Sequence, residues 1–214
     1  MKKLSVFDLD HTLLSVNASY RFGAYLYRNK EISLFSMLYL VWYYIRHKAF
    51  GMSLRELHDA VFKRMLIGKS LAAIVKYVDP FLDKILPKTL YKPAVDRLRT
   101  AQKENHIVYL ISNSPAFIVG KIAERLEIKR WRATTYGLDQ QGKLCGVECI
   151  WEGDDKADFV KKVSREENIA KENITVYTDS IIDVPLLEIA GQPVAVNPDK
   201  PLKALASKKG WEIL

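Results

Sequence analysis

Apolar and polar positions along the chain follow two alternating rhythms. Leu4–Phe7 is a short apolar run that stops abruptly at Asp8-Leu9-Asp10, the profile of a buried parallel strand with polar groups at its carboxyl end. Residues 106–112 (HIVYLIS) and Ile174–Thr178 (ITVYT) repeat it, the first ending in small polar residues and the second running into Asp179. Residues 192–196 form a fourth candidate strand. Helical periods lie between and after these runs, at 94–103, 115–126, 156–167, 182–189 and 201–208. Strands alternating with helices predict an α/β fold, a Rossmann-like, doubly wound parallel sheet. Such sheets bind ligands outside the carboxyl ends of their strands, which is where the unusual acids fall.

The interval between the first two strands is too long for one crossover helix. Residues 18–87 read as several helices with no strong strand signal. Ser53-Leu54-Arg55-Glu56 has the form of a capping box and marks one helix start. Ser70 is placed to cap another helix, expected to end before Pro80 or Pro87. The expected organisation is a core of residues 1–16 and 88–214 with a helical cap, 17–87, inserted after the first strand. A smaller excursion, 136–151, carries turn residues at Gln140-Gln141-Gly142 and suits a β-hairpin.

Composition narrows the class. A chain of 214 residues, 49% hydrophobic and 27% charged, suits one globular core with an inserted lid and argues against a disordered or collagen-like chain. A net charge of +8 draws anions in general, without choosing among nucleic acid, lipid headgroups and phosphate esters. Two cysteines, Cys145 and Cys149, cannot build a disulfide framework. Four apart on the expected hairpin, they can share a face, but two ligands make a poor zinc site, and they read as ordinary thiols. Lys2 and Lys3 resemble the start of a signal peptide, yet Asp8 and Asp10 interrupt any secretory apolar stretch. The apolar, uncharged run 32–45 falls short of the ~20 residues that span a bilayer. The expected location is cytoplasmic, with peripheral contact at the inner membrane surface as an alternative.

The candidate chemistry begins at Asp8 and Asp10. Just past a strand end the chain curls, so one carboxylate can face a metal while the other reaches a leaving group. Two such acids repel each other unless a cation joins them; the plainer alternative is a polar loop capping a helix. Asp179 and Asp183 supply more carboxylate at another strand end, with Asp183 equally suited to cap the next helix. Ser112 ends the second strand, followed by Asn113, Ser114 and a helix start, which suits either a cap or a phosphate cradle. Lys156, taken alone, reads as a solvated lysine.

In combination these residues resemble the signature of the haloacid dehalogenase superfamily of phosphohydrolases. That signature is D-x-D-x-T, a Ser or Thr ending a strand, a Lys, then D-S/G-x-x-D. Here it corresponds to Asp8, Asp10 and Thr12; Ser112; Lys156; Asp179 and Asp183. The order and strand contexts agree across essentially the whole chain, and the layout is most similar to the phosphoserine phosphatase-like branch, subfamily IB, with its C1-type helical cap. The resemblance implies an aspartyl-phosphate mechanism. Asp8 would attack phosphorus, and Asp10 would act as general acid and then base. Ser112, Asn113 and Lys156 would bind the phosphoryl group. Asp8, Asp10 (through its backbone carbonyl), Asp179 and Asp183 would hold Mg²⁺, a hard cation suited to oxygen ligands.

Two positions depart from phosphoserine phosphatases. Asn17 stands where those enzymes carry a Glu that binds the substrate amine, and Ser112-Asn113-Ser114-Pro115 replaces S-G-G-F. His11 takes the place of a frequent Gly or Ser and reads as a spacer. Residues 34–45 (LFSMLYLVWYYI) are apolar on nearly every side, flanked by Arg28, Lys30, Arg46 and Lys48. A soluble cap helix needs only one buried face. The run therefore suits a membrane interface or lipid-like substrate, or a central cap helix buried by its neighbours, or a dimer contact. Some members of the resembled branch act on phospholipid phosphates, notably phosphatidylglycerophosphate. The favoured reading is a Mg²⁺-dependent phosphomonoesterase acting on a small-molecule or lipid-like phosphate ester. The alternatives are a phosphotransferase of the same fold, a basic nucleic-acid-binding module and a catalytically silent scaffold. No reader motif and no basic run interleaved with aromatics supports nucleic-acid binding, so none is expected.

Overall fold

Neighbouring residues of the central strands face two different hydrophobic clusters. Leu4 and Val6 of strand β1 (Leu4–Phe7) pack into one, with Ile174 and Val176 of β5 (Ile174–Thr178). Phe7 packs into the other, its ring stacked on Tyr177 at 4.3 Å. The period-two pleat of a strand buried on both faces produces this alternation. Helices α6 (Lys92–Lys103) and α7 (Ala116–Arg125) cover the Phe7 side, while α8 (Gly153–Glu166), α9 (Val184–Glu188) and α10 (Lys200–Lys209) contribute to the Leu4 side. The computed structural model describes residues 1–49 and 51–214, and the side chains of 47–49 and 54, among them His47 and Lys48, lie outside the described set.

The sheet has seven strands in the order β4-β3-β2-β1-β5-β6-β7. Besides β1 and β5 these are β2 (Ile107–Pro115), β3 (Arg130–Leu138), β4 (Leu144–Cys149), β6 (Gln192–Ala195) and β7 (Glu212–Ile213). Every pairing is parallel except β3 with β4. Phe7 lies opposite both Leu110 and Tyr177, so the chain leaves β1, β2 and β5 side by side at their carboxyl ends. The doubly wound parallel sheet read from the sequence is the observed fold.

Several boundaries differ from the expectation. β2 runs three residues past Ser112 to Pro115, and the following helix starts at Ala116. The expected hairpin is present, but its first strand begins at Arg130 and pairs with β2 before turning to β4. The period at 182–189 divides into a tight turn, Ile181–Asp183, and α9. α8 begins at Gly153, three residues before Lys156. The helix that follows Ser70, α4 (Leu71–Val75), ends before Pro80 as expected, and a separate helix, α5 (Val78–Thr89), runs through both Pro80 and Pro87. Pro80 sits in the first turn, where the missing N–H has no intrahelical partner to lose, and Pro87 falls in the last turn.

Between β1 and α6 lie α1 (Ala18–Arg28), α2 (Leu34–Ala49), α3 (Leu54–Val61), a wide turn at Phe62–Leu66, α4 (Leu71–Val75) and α5. The capping box at Ser53 and Glu56 forms as expected, with Glu56 N–H donating to Ser53 Oγ at 3.2 Å. Ser70 precedes α4 without a side-chain cap bond. The chain leaves and re-enters the core side by side: Ser15 N–H donates to the Thr89 carbonyl at 2.7 Å and Tyr91 N–H to that of Leu13 at 2.9 Å. Phe22, Met65, Phe81 and Leu82 join the Phe7 cluster. The β3–β4 hairpin is hydrogen-bonded to this block through Gly68 N–H to the Leu144 carbonyl at 2.8 Å.

α2 is not a helix buried by its neighbours within this chain. Phe35, Leu38 and Trp42 are 71%, 58% and 52% exposed, while Met37 and Leu40 pack inward. Among the described residues no helix is long and apolar enough to cross a membrane.

Candidate active site

Asp8 emerges directly from β1, its N–H donating to the Tyr177 carbonyl at 2.9 Å and extending the ladder by one bond. The chain then curls through Leu9–Leu13, where His11 adopts φ 59°. This turn directs Asp8 and Asp10 differently although both are only 7% exposed. Asp8 Oδ1 accepts from Lys156 Nζ at 2.8 Å. Asp10 instead faces the start of α1: Oδ1 accepts from Ala18 N–H at 2.6 Å and Oδ2 from the Ser114 hydroxyl at 2.6 Å. Negative charge is stabilised at such a helix start. Thr12 is fully buried, and its hydroxyl has no hydrogen-bond partner.

Lys156 is not a solvated lysine. It is 2% exposed and its ammonium bridges Asp8 Oδ1 and Asp183 Oδ2, each at 2.8 Å. Burial opposes its charge, but Asp183 and Asp8 outweigh burial and hold its pKa above the ordinary lysine value. Asp183 makes no side-chain cap at α9; its Oδ2 also accepts from Thr178 Oγ1 at 2.7 Å. The capping alternative for Asp183 therefore gives way to an ion pair with Lys156, 27 residues away, whose ammonium also reaches Asp8 across 148 residues.

The approach of α8 to this turn depends on Gly153, because a Cβ there would lie 2.0 Å from the Ile182 carbonyl oxygen. The same turn is held from its other side by Asp199, whose Oδ2 accepts from Ile181 N–H at 3.1 Å while Oδ1 caps α10 through Leu202 N–H at 2.8 Å. Neither residue, nor Ser114, figures among the expected site residues.

Asp8, Asp10, Asn113, Lys156, Asp179 and Asp183 line one cavity of about 290 Å³. Ser112 does not border it; it is buried, and its Oγ accepts from Ser114 N–H at 3.1 Å. Asn113 is fixed through its carbonyl, which accepts from Thr134 Oγ1 at 2.7 Å. Ser19 Oγ lies 2.7 Å from Ser114 Oγ and extends the Asp10 network into α1. Asn17 caps α1, with Oδ1 accepting from Tyr20 N–H at 2.8 Å. Cys145 and Cys149 are free thiols.

Charge at the cavity is unbalanced. Burial, then Asp183 and Asp10, push Asp8 up to about 7 against the pull of Lys156. Burial, then Asp8 and Asp183, push Asp179 up to about 8. Burial also raises Asp10, against its bonds from Ser114 and Ala18. Four carboxyl groups around one ammonium lack positive charge, and an all-oxygen donor set of this kind suits a hard divalent cation. Among the described residues no three ligand groups are already drawn around one point; the Lys156 ammonium occupies the space between Asp8 and Asp183.

Comparison with known proteins agrees with this arrangement. The family model of haloacid dehalogenase-like hydrolases matches residues 5–188. A phosphoserine phosphatase of Mycobacterium tuberculosis is 27% identical over 213 residues, which covers 97% of this chain and 68% of that protein. A Bordetella pertussis protein of unknown function superposes with a TM-score of 0.86 at 22% identity, over 100% of this chain and 99% of that one. A phospho-aspartyl intermediate analogue of phosphoserine phosphatase gives 0.72 at 18% identity, over 99% and 92%. With the matched segment taking in every acid of the cavity, the chain belongs to the haloacid dehalogenase-like hydrolases and is a phosphatase-type enzyme of that family.

Proposed function

We propose that the protein is a Mg²⁺-dependent phosphomonoesterase acting through phosphorylated Asp8, with residues 17–87 as a cap over a core of 1–16 and 88–214. The observation that carries this reading is the meeting of Asp8, Asp10, Lys156, Asp179 and Asp183 in one cavity from three separate stretches of chain. Asp8, Asp179, Asp183 and the Asp10 carbonyl would hold the cation. Bound there, Mg²⁺ supplies positive charge that offsets repulsion between a carboxylate nucleophile and a phosphate dianion.

The chain's own groups divide the remaining work. An Asp8 carboxylate oxygen forms a bond to phosphorus as the ester P–O bond breaks. Asp10, whose carboxyl is raised by burial, gives its proton to the departing alkoxide. Water then attacks the phosphoryl group and returns a proton to Asp10, releasing phosphate and restoring the Asp8 carboxylate. Lys156, held between Asp8 and Asp183, places a fixed ammonium where charge develops on the phosphoryl oxygens. Asn113 on the cavity wall binds those oxygens from the β2 side, and Ser112, which does not border the cavity, accepts from Ser114 N–H behind it.

The test is acid quenching during turnover of an aryl phosphate, followed by peptide mapping. A hydroxylamine-labile phosphoryl group on the Asp8 peptide, with inorganic phosphate released to water, is the expected result. Turnover by Asp8→Asn near the wild-type rate overturns the proposal. Phosphate appearing on an added alcohol instead of in solution identifies the phosphotransferase.

The outer face of α2 adds a location to this reading. Its exposed Phe35, Leu38 and Trp42 are flanked in sequence by exposed Arg28, Lys30 and Arg46, a combination that suits peripheral contact with an anionic lipid surface. Sedimentation with phosphatidylglycerol vesicles, reduced by Phe35→Ser with Trp42→Ser, is the expected outcome; equal sedimentation of both proteins removes this part.

A further inference from the structure

We infer that the leaving group of the substrate is an uncharged, apolar alcohol held against the helices between β1 and α6. The inference rests on the phosphomonoesterase reading above. The carboxylates and the ammonium of the Asp8 cluster come from the ends of β1 and β5 and from α8, while residues 17–87 add the polar side chains Asn17, Ser19 and His58. Most of the remaining wall is apolar and aromatic: Phe22 and Leu26 of α1, Val61 of α3, Met65, Phe117 of α7 and Tyr136 of β3. Phe117 and Tyr136 lie against one another at 6.2 Å between ring centroids, and Phe62 stacks on Tyr136 at 5.5 Å, so this wall is braced from behind.

Among the described residues, those that 17–87 contributes to the cavity include no Asp, Glu, Lys or Arg. An amino-acid leaving group such as that of phosphoserine carries a carboxylate into this space. Among the described residues the one Lys or Arg on the lining is Lys156, already shared by Asp8 and Asp183. Glu152, whose Oε1 is buried without a hydrogen-bond partner, adds further negative character to the wall. Among the described residues a carboxylate buried there would find no further Lys or Arg and would face repulsion. An ammonium would find no carboxylate on the cap side, and Asn17 Oδ1 is committed to the first turn of α1. An alkyl or aryl group meets none of these penalties and exchanges water for ring faces and methyl groups.

The experiment compares kcat/KM of the full chain with Mg²⁺ across methyl, ethyl, butyl and hexyl phosphate, alongside phosphoserine and phosphocholine. Each methylene that enters the cavity should raise kcat/KM roughly four-fold, the equivalent of about 0.8 kcal/mol, and hexyl phosphate should exceed phosphoserine by about 100-fold or more. A flat chain-length series, or phosphoserine or phosphocholine as the better substrate, overturns the inference. Calorimetric binding of hexyl phosphate and phosphoserine to Asp8→Asn separates the two levels. Tighter binding of the hexyl ester without wild-type turnover sinks the phosphomonoesterase reading and keeps the apolar site, whereas equal or absent binding of both sinks the apolar site. Val61→Lys, checked for an unchanged melting profile, should flatten the chain-length series, and an undiminished slope counts against the assigned wall.

Discussion

The Ser114 hydroxyl donates to Asp10 Oδ2 at 2.6 Å across 104 residues of sequence, and Ala18 N–H holds the other carboxylate oxygen at the same distance. Asp10 is therefore clamped on both sides, by the end of β2 and by the first turn of α1. The strand that carries Asn113 and the helix that opens the inserted block meet at the proposed general acid. Ser19, hydrogen-bonded to Ser114, links motion of α1 to the position of this carboxyl group.

Ser114→Ala removes one of the two bonds that favour the ionised form of Asp10, and burial then raises its pKa further. The first chemical step needs Asp10 protonated. A pH–rate profile with an alkyl phosphate should show the basic limb moving up, with the maximum rate lowered. A basic limb that stays in place, or moves down, contradicts the proposed role of the pair.

Gly153→Ala tests the packing that sets the Lys156–Asp183 contact. The new methyl group meets the Ile182 carbonyl oxygen at 2.0 Å, so α8 and the Ile181–Asp183 turn must separate. Overpacking of this kind costs about 1–3 kcal/mol. Calorimetry should show a lower melting temperature, with turnover falling more than ten-fold because Asp183 leaves Lys156. Wild-type turnover in a stable Gly153→Ala protein would show that the 2.8 Å bridge is dispensable.

The parts of this site that were legible in the sequence share a physical cause. β1 and β5 are buried on both faces, so they appear as unbroken apolar runs ending in acids, and both match their expected bounds. The first part of β3, 130–135, was not legible because Arg130 and Arg132 break its apolar pattern; Arg132 lays its guanidinium over the Phe159 ring at 4.7 Å and covers apolar surface with a charged side chain. Ser114 is two residues beyond Ser112, a spacing that shares a strand face, but only if β2 continues to Pro115. Asp199 reads locally as a helix cap, which it is; its second bond, to Ile181 N–H, is a tertiary contact that no local pattern encodes.

Lys156→Met keeps the length of the side chain and removes its charge. Asp8 and Asp183 would then remain buried without their common cation, and breaking one side of such a pair typically costs about 3–5 kcal/mol. In chelator the melting temperature should drop by roughly 6–20 °C, since 1 kcal/mol moves a chain of this size by about 2–4 °C. Turnover should be lost as well. A Lys156→Met protein as stable as wild type in chelator is incompatible with an ammonium that neutralises both acids.

The same charge imbalance gives metal-free stability a definite slope with pH. Asp8 is pushed up to about 7 and Asp179 up to about 8 in the folded chain, both above the value of about 4 for an unfolded aspartate. Between those limits the folded state holds more protons than the unfolded one, so the stability contributed below pH 4 is lost as pH rises through 7 and 8. Melting temperature in chelator should therefore fall from pH 5 to pH 8, apart from the effects of other groups. Mg²⁺ competes with protons for the same oxygens, so its stabilisation should be larger at pH 8 than at pH 5. At ~100 times its Kd it contributes about 2.7 kcal/mol, or roughly 5–10 °C. In Asp179→Asn both the slope and the Mg²⁺ shift should shrink. An Mg²⁺ shift that is the same at both pH values, and unaffected by Asp179→Asn, would mean that the ion binds away from these carboxylates.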